Sequence, residues 1–168
     1  MRSKIADLLD EIELFQDFTY TELEIISRYL RLEEADAQAT IFKEGERGNY
    51  MVILLTGRIG IYKGGVRHLQ LLSQEGRGRI VGEMSLLDHE LRSATCIAEL
   101  DCEFLTMTQD SLKKLALEQP AVAYHFMLHL ARFLSKRLRR VSGMMADFMS
   151  AQEEQDEADE EESEESDE

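Results

Sequence analysis

Residues 82–95 read Gly82-Glu83-Met84-Ser85-Leu86-Leu87-Asp88-His89-Glu90-Leu91-Arg92-Ser93-Ala94-Thr95. A carboxylate, Glu83, and a guanidinium, Arg92, stand nine residues apart in a segment too apolar to be a solvated charged face. Met84, Leu86 and Leu87 fit one short helical turn, and Arg92 to Ala98 reads as the entry to a strand. A short helix after a glycine turn offers free backbone N–H groups that favour an anion. An arginine returning to that point adds a planar fork of donors suited to a phosphate. Glu83 would repel a phosphate, so in a functional role it accepts from a neutral hydroxyl such as a sugar 2′-OH. Together these parts predict a pocket for a small phosphosugar.

Outward from this stretch, the chain of 168 residues with 43% hydrophobic content is long enough for one domain with a real core. The net charge of −15 is unevenly spread. Twelve of the 34 acidic residues fall in 153–168, where there is no basic residue. The other 22 face 19 Lys and Arg, so the body carries only −3. Such an acidic tail repels nucleic acids and anionic membranes, and neither is expected as a partner. The longest apolar run, Met51 to Leu55, is strand-sized, and the N-terminus lacks a signal-peptide core. Cys96 and Cys102 make neither a disulfide framework nor a metal knuckle, so the expectation is a cytoplasmic protein with reduced thiols and no metal.

The periodicity predicts helix over residues 3–31, with Ile5, Leu8, Leu9, Ile12 and Phe15 on one face and Thr19 or Thr21 as an internal cap. A polar connector is expected from Leu32 to Gln38. From 39 to 106 the period becomes that of strands: 40–42, 50–55, 58–62, 67–72, 92–98 and 102–106, punctuated by glycines. Helix returns over 110–149, with Asp110 or Ser111 as a cap and Pro120 in the first turn of the long last helix. The fold class is therefore α+β, mainly β: an antiparallel β-barrel or jelly roll flanked by N-terminal helices and a long C-terminal helix. Met127, Leu134, Val141 and Phe148 recur every seven residues, which predicts a homodimer through that helix, although Arg137 interrupts the stripe. Residues 1–150 form the domain. Residues 151–168, rich in Glu, Asp and Ser, are expected to be a disordered acidic tail.

The stretch resembles the phosphate-binding cassette of cyclic nucleotide-binding domains, roughly G-E-φ-[AS]-L-φ-x-x-x-x-R-[SAT]-A-[TS]. Gly82, Glu83, Ser85, Leu86, Arg92, Ser93, Ala94 and Thr95 match it, and the glycines at 45, 57 and 82 extend the similarity over roughly residues 5–145. Leu91 stands where many members carry proline, which leaves the loop less rigid. The resemblance implies that Arg92 grips the cyclic phosphate with both arms and that Glu83 takes the ribose 2′-OH. Gly82 then lets the backbone approach the sugar, Met84 and Ser85 add N–H groups or a hydroxyl, Ser93 adds a hydroxyl, and Ala94 adds an N–H and room for the ring. It places Val141 and Ser142 of the last helix over the base. The ligand it implies is cAMP or cGMP; Ser93 is compatible with either.

Plainer alternatives stand beside these roles: an ion pair of Arg92 with Asp88 or Glu90, a helix-start carboxylate for Glu83, and a solvent-facing Ser142. His125 and His129, four apart, lack a third metal ligand, and the basic cluster 132–140 lacks the aromatic interleaving of a nucleic-acid surface. No nucleophile–base pair is recognisable, so catalysis is not expected. Catabolite activators continue into a helix-turn-helix, whereas the acidic tail follows here. The reading is a stand-alone cyclic nucleotide sensor that signals to an unknown effector protein by moving its C-terminal helix. The rivals are a ligand-free scaffold on the same fold and a sensor of another phosphorylated molecule, such as a cyclic dinucleotide.

Overall fold

The computed structural model describes residues 2–64 and 68–165, with side chains described for 4–64 and 68–152. The chain divides into two units, Met1–Phe126 and Met127–Glu168.

The first unit opens with α1 (Arg2–Asp10), a single 3-10 turn (Glu13–Phe15) and α2 (Tyr20–Ser27). The continuous helix expected over 3–31 is broken where Ile12 and Thr19 adopt extended backbone. Thr19 is the cap, in a reciprocal box: its Oγ1 accepts from Glu22 N at 3.3 Å, and the Glu22 carboxylate accepts from Thr19 N at 2.8 Å. Eight strands follow: β1 (Arg31–Ala35), β2 (Thr40–Phe42), β3 (Tyr50–Thr56), β4 (Ile59–Lys63), β5 (Gln70–Glu75), β6 (Ile80–Val81), β7 (Thr95–Ala98) and β8 (Cys102–Thr108). Between β6 and β7 lies α3 (Glu83–Asp88), and after β8 comes α4 (Gln109–Glu118). Thr108, not Asp110 or Ser111, caps α4 by accepting from Ser111 N at 3.1 Å.

The strands form two antiparallel sheets, ordered β1-β8-β3-β6 and β2-β7-β4-β5. This is the jelly-roll form of the expected fold, with two sheets in place of a closed barrel. Phe42, Ile59, Cys96 and Ala98 from one sheet meet Val52, Leu54, Val81, Cys102 and Phe104 from the other in a common core. β3 is central and continuously apolar because both of its faces are covered. Val52 and Leu54 point into that core, and Met51, Ile53 and Leu55, equally buried, point the other way. β1 replaces the expected polar connector. It pairs in full register with β8 from Arg31↔Thr106 to Ala35↔Cys102. The strand expected at 67–72 begins three residues later, at Gln70, and Gly65 and Arg67 lie outside the described residues.

The last helix, α5 (Pro120–Glu165), starts on the expected proline. Its first two turns, to Phe126, belong to the first unit. Phe126 stacks on Phe15 at 6.1 Å, and His125 stacks on Phe18 at 4.2 Å while its Nδ1 lies 2.8 Å from Glu22 Oε1.

The second unit is the rest of α5. Its backbone is helical to Glu165, past residue 151, where the sequence predicts disorder to begin. Glu, Ala and Gln are strong helix formers, so lack of a buried face does not by itself preclude local helix. No helix among the described residues is long and apolar enough to cross a membrane.

Candidate functional site

Arg92 is held first by its main chain. Its N–H donates to Glu46 O at 2.8 Å, and Gly45 N–H donates to Arg92 O at 2.9 Å. An antiparallel bridge joins Arg47 to Leu91 beside them. Leu91 thus lies in a pinned segment without needing the rigidity of proline.

The Arg92 side chain then turns inward and is only 3% exposed. Its Cζ lies 4.0 Å from the Phe42 ring centroid and 4.5 Å from that of Tyr50. Nη1 donates to Gly82 O at 3.1 Å. Nη2 is buried and has no hydrogen-bond partner among the described residues. Among the described residues Arg92 forms no ion pair. Asp88 and Glu90 are exposed, and Asp88 Oδ1 accepts instead from Glu90 N–H at 3.0 Å. Burial pulls the guanidinium pKa below its ordinary value, with Tyr50 opposing that shift. An arginine remains charged nonetheless. The site therefore holds a buried cation with one donor nitrogen already used and another unmet.

Two glycines make room for this arrangement. Gly82 caps α3 in the left-handed region, at φ +76°. A Cβ there would collide with Arg92 Nη1 and crowd Phe42 Cε1 and Tyr50 O, each at 3.3 Å. At Gly48 a Cβ would press on Ser85 Oγ at 2.6 Å and on Arg92 Nε at 2.8 Å.

α3 buries Glu83 (2% exposed) and Ser85 (3%), while Met84 turns its side chain out. Gln109 Nε2 donates to Ser85 O at 2.9 Å, tying α3 to the start of α4. Ser93 is exposed, and its carbonyl accepts from Lys63 Nζ at 3.0 Å; Ala94 is half-buried. Thr95 Oγ1 accepts from Glu44 N–H at 3.0 Å. Cys96 pairs with Phe42 across β7 and β2, and burial pushes its thiol up to about 12. Cys102 is likewise buried and its pKa raised by desolvation.

Gly82 and Arg92 are thus bonded directly, with Ser85 beside them across Gly48. Val141 and Ser142 lie in the second unit, exposed on α5. A cavity of about 500 Å³, lined in part by Arg28, Arg31, Asn49 and Lys114, includes none of the cassette residues. The sequence reading misses Phe42, Tyr50, Gly48 and Gln109. Phe42 and Tyr50 read simply as strand aromatics, and only the folded sheets bring them to Arg92.

Comparison with known proteins follows the same line. The cyclic nucleotide-binding domain model matches residues 32–119. The cyclic AMP receptor protein of Thermus thermophilus is 30% identical over 144 residues, covering 83% of this chain and 63% of the relative. A cAMP-dependent protein kinase regulatory subunit of Colletotrichum orbiculare is 27% identical, over 68% of this chain and 29% of its own. The crystal structure of a cyclic nucleotide-binding domain from Methylobacillus flagellatus superposes with a TM-score of 0.73 at 29% identity, covering 83% of this chain and 79% of that one. The chain spans less than two thirds of the length of the first curated relatives it matches, 63% and 62%.

Proposed function

Because this chain belongs to the cyclic nucleotide-binding domain family, we propose that it is a cyclic nucleotide sensor whose long C-terminal helix reports ligand occupancy to a partner protein. One observation carries the reading: Arg92 Nη2 is a buried cationic donor without a partner among the described residues. Buried donors are nearly always satisfied, and leaving one unmet is costly. The exocyclic oxygen of a cyclic phosphate supplies both the missing acceptor and the missing negative charge.

In this reading Arg92 takes the phosphate, and buried Glu83 accepts the ribose 2′-OH in a site shaped by Gly82. Met84, Ser85, Ser93 and Ala94 supply N–H groups and a hydroxyl around the ring. Val141 and Ser142 contact the base. Relatives named for cAMP favour that nucleotide, with cGMP as the alternative. Ligand would bias the position of α5 only by its differential affinity for two states. The test is calorimetric titration of the purified protein with each nucleotide. Micromolar binding of either is expected. No heat from folded protein would remove the reading in favour of another phosphorylated ligand, such as a cyclic dinucleotide, or of a ligand-free scaffold.

The same proposal includes a cytoplasmic homodimer, with neither nucleic acid nor membrane as a partner. Leu138, Val141, Met144, Met145 and Phe148 are each more than half exposed along α5. Such a contiguous apolar stripe marks an interaction face. Phe148→Asp places a charge on the seam, and sedimentation is expected to move from dimer to monomer. A wild type already monomeric at tens of micromolar, the order of a weak dimer's dissociation constant, would remove this part.

A further inference from the structure

Three sides of the Arg92 guanidinium are set by groups outside the cassette's own acidic residues. The Phe42 ring comes from β2 in one sheet and the Tyr50 ring from β3 in the other. Their centroids are 6.3 Å apart and their planes meet at 78°, so the two rings form a corner. The guanidinium carbon occupies that corner at 4.0 and 4.5 Å. Tyr50 is itself fixed, because its hydroxyl donates to Ile41 O at 2.9 Å. Gly82 O takes Nη1, and the buried Nη2 has no hydrogen-bond partner among the described residues.

We propose that Phe42 and Tyr50 are positioning residues for ligand binding: their ring faces hold Arg92 charged and oriented while leaving Nη2 free for the ligand's phosphate. The inference rests on the cyclic nucleotide reading for its ligand, but not for its geometry.

The physical reason lies in what an aromatic face can do and a carboxylate cannot. A buried cation needs compensation. A carboxylate would supply it by consuming the N–H donors and cancelling the charge, so an incoming phosphate would have to displace it. A ring face attracts the cation through its quadrupole and takes no donor. The corner therefore lowers the cost of burying the charge and keeps it available. It also predicts that a lysine at 92 is a poor substitute. A compact ammonium cannot lie against two ring faces, bond Gly82 O and still present a donor at the Nη2 position.

The test separates ring from hydroxyl at one position. Tyr50→Phe keeps the face and removes the bond to Ile41; Tyr50→Leu removes both. Calorimetry with cAMP and cGMP is expected to show Tyr50→Phe close to wild type, with Tyr50→Leu and Phe42→Leu weakened roughly tenfold. Equal losses in Tyr50→Phe and Tyr50→Leu, or no loss in either leucine variant, would overturn the proposal. A second measurement needs neither a variant nor a nucleotide. In the NMR spectrum of the free wild type, the Arg92 side-chain resonances are expected well upfield of other arginines, from the ring currents of the two faces. Unshifted resonances would overturn the proposal even if both nucleotides bind. Wild type that binds neither nucleotide yet shows the shift would sink the cyclic nucleotide reading and leave the geometry of the corner intact.

Discussion

Arg92→Ala is expected to weaken cyclic nucleotide binding by roughly ten- to 150-fold, the equivalent of about 1.5–3 kcal/mol for a hydrogen bond to a charged group. The variant removes the unmet Nη2 donor and the positive charge together. No second buried cation stands in, since Arg92 is the only Lys or Arg among the buried described residues. The same change is expected to leave the free protein nearly as stable as the wild type, or slightly more so. Among the described residues Arg92 is a buried charge without an ion-pair partner, and taking such a charge out offsets the packing and the one bond to Gly82 that are lost. Calorimetry beside thermal denaturation reads both effects. Unchanged affinity would show that the phosphate is held elsewhere. Lost affinity with a collapsed melting temperature would make Arg92 structural instead.

Phe126→Ala is expected to have the largest effect on stability, about 3–5 kcal/mol, the usual range for deleting a fully buried aromatic ring. Phe126 has no exposed surface and stacks on Phe15 at 6.1 Å with the planes 19° apart. Phe15 in turn meets Phe18 edge-on at 5.4 Å, and Phe18 stacks on His125. Removing one ring therefore opens a cavity inside a linked set of four, where neighbours fixed by their own partners cannot collapse to fill it. These rings join the second turn of α5 to the segment between α1 and α2. Urea unfolding checks the prediction. A loss below about 1 kcal/mol would mean that the cluster repacks freely, contrary to the close packing of such interiors.

The cassette was legible because its chemistry is local. Glycine, glutamate and arginine at fixed separation carry their meaning within fourteen residues, 82 to 95. β3 was legible because both faces are buried and the apolar run is unbroken. β1 was not, because it is an edge strand with four exposed residues followed by a half-buried one, and Leu32 is itself 48% exposed. An exposed edge strand has no alternation to read. β6 is two residues long, too short for any period. The aromatic corner around Arg92 depends on the register of β2 against β7 and on the placing of β3 in the other sheet. Neither is written in residues near Arg92. The unmet Nη2 was equally invisible, since sequence names a charge but not the absence of its partner. For Val141 and Ser142 the resemblance offered a role, while the helix itself places them as exposed residues of the second unit.

The two native thiols have a practical consequence. Cys96 has no exposed surface and is scarcely ionised at neutral pH, with its pKa pushed up to about 12; Cys102 is buried with its pKa raised as well. Thiolate, not thiol, is the species that reacts with an alkylating dye. To such a reagent the native chain is a blank background, so a single cysteine placed on the exposed surface of α5 would carry the only label. A fluorophore there would make the helix report on itself as nucleotide is added.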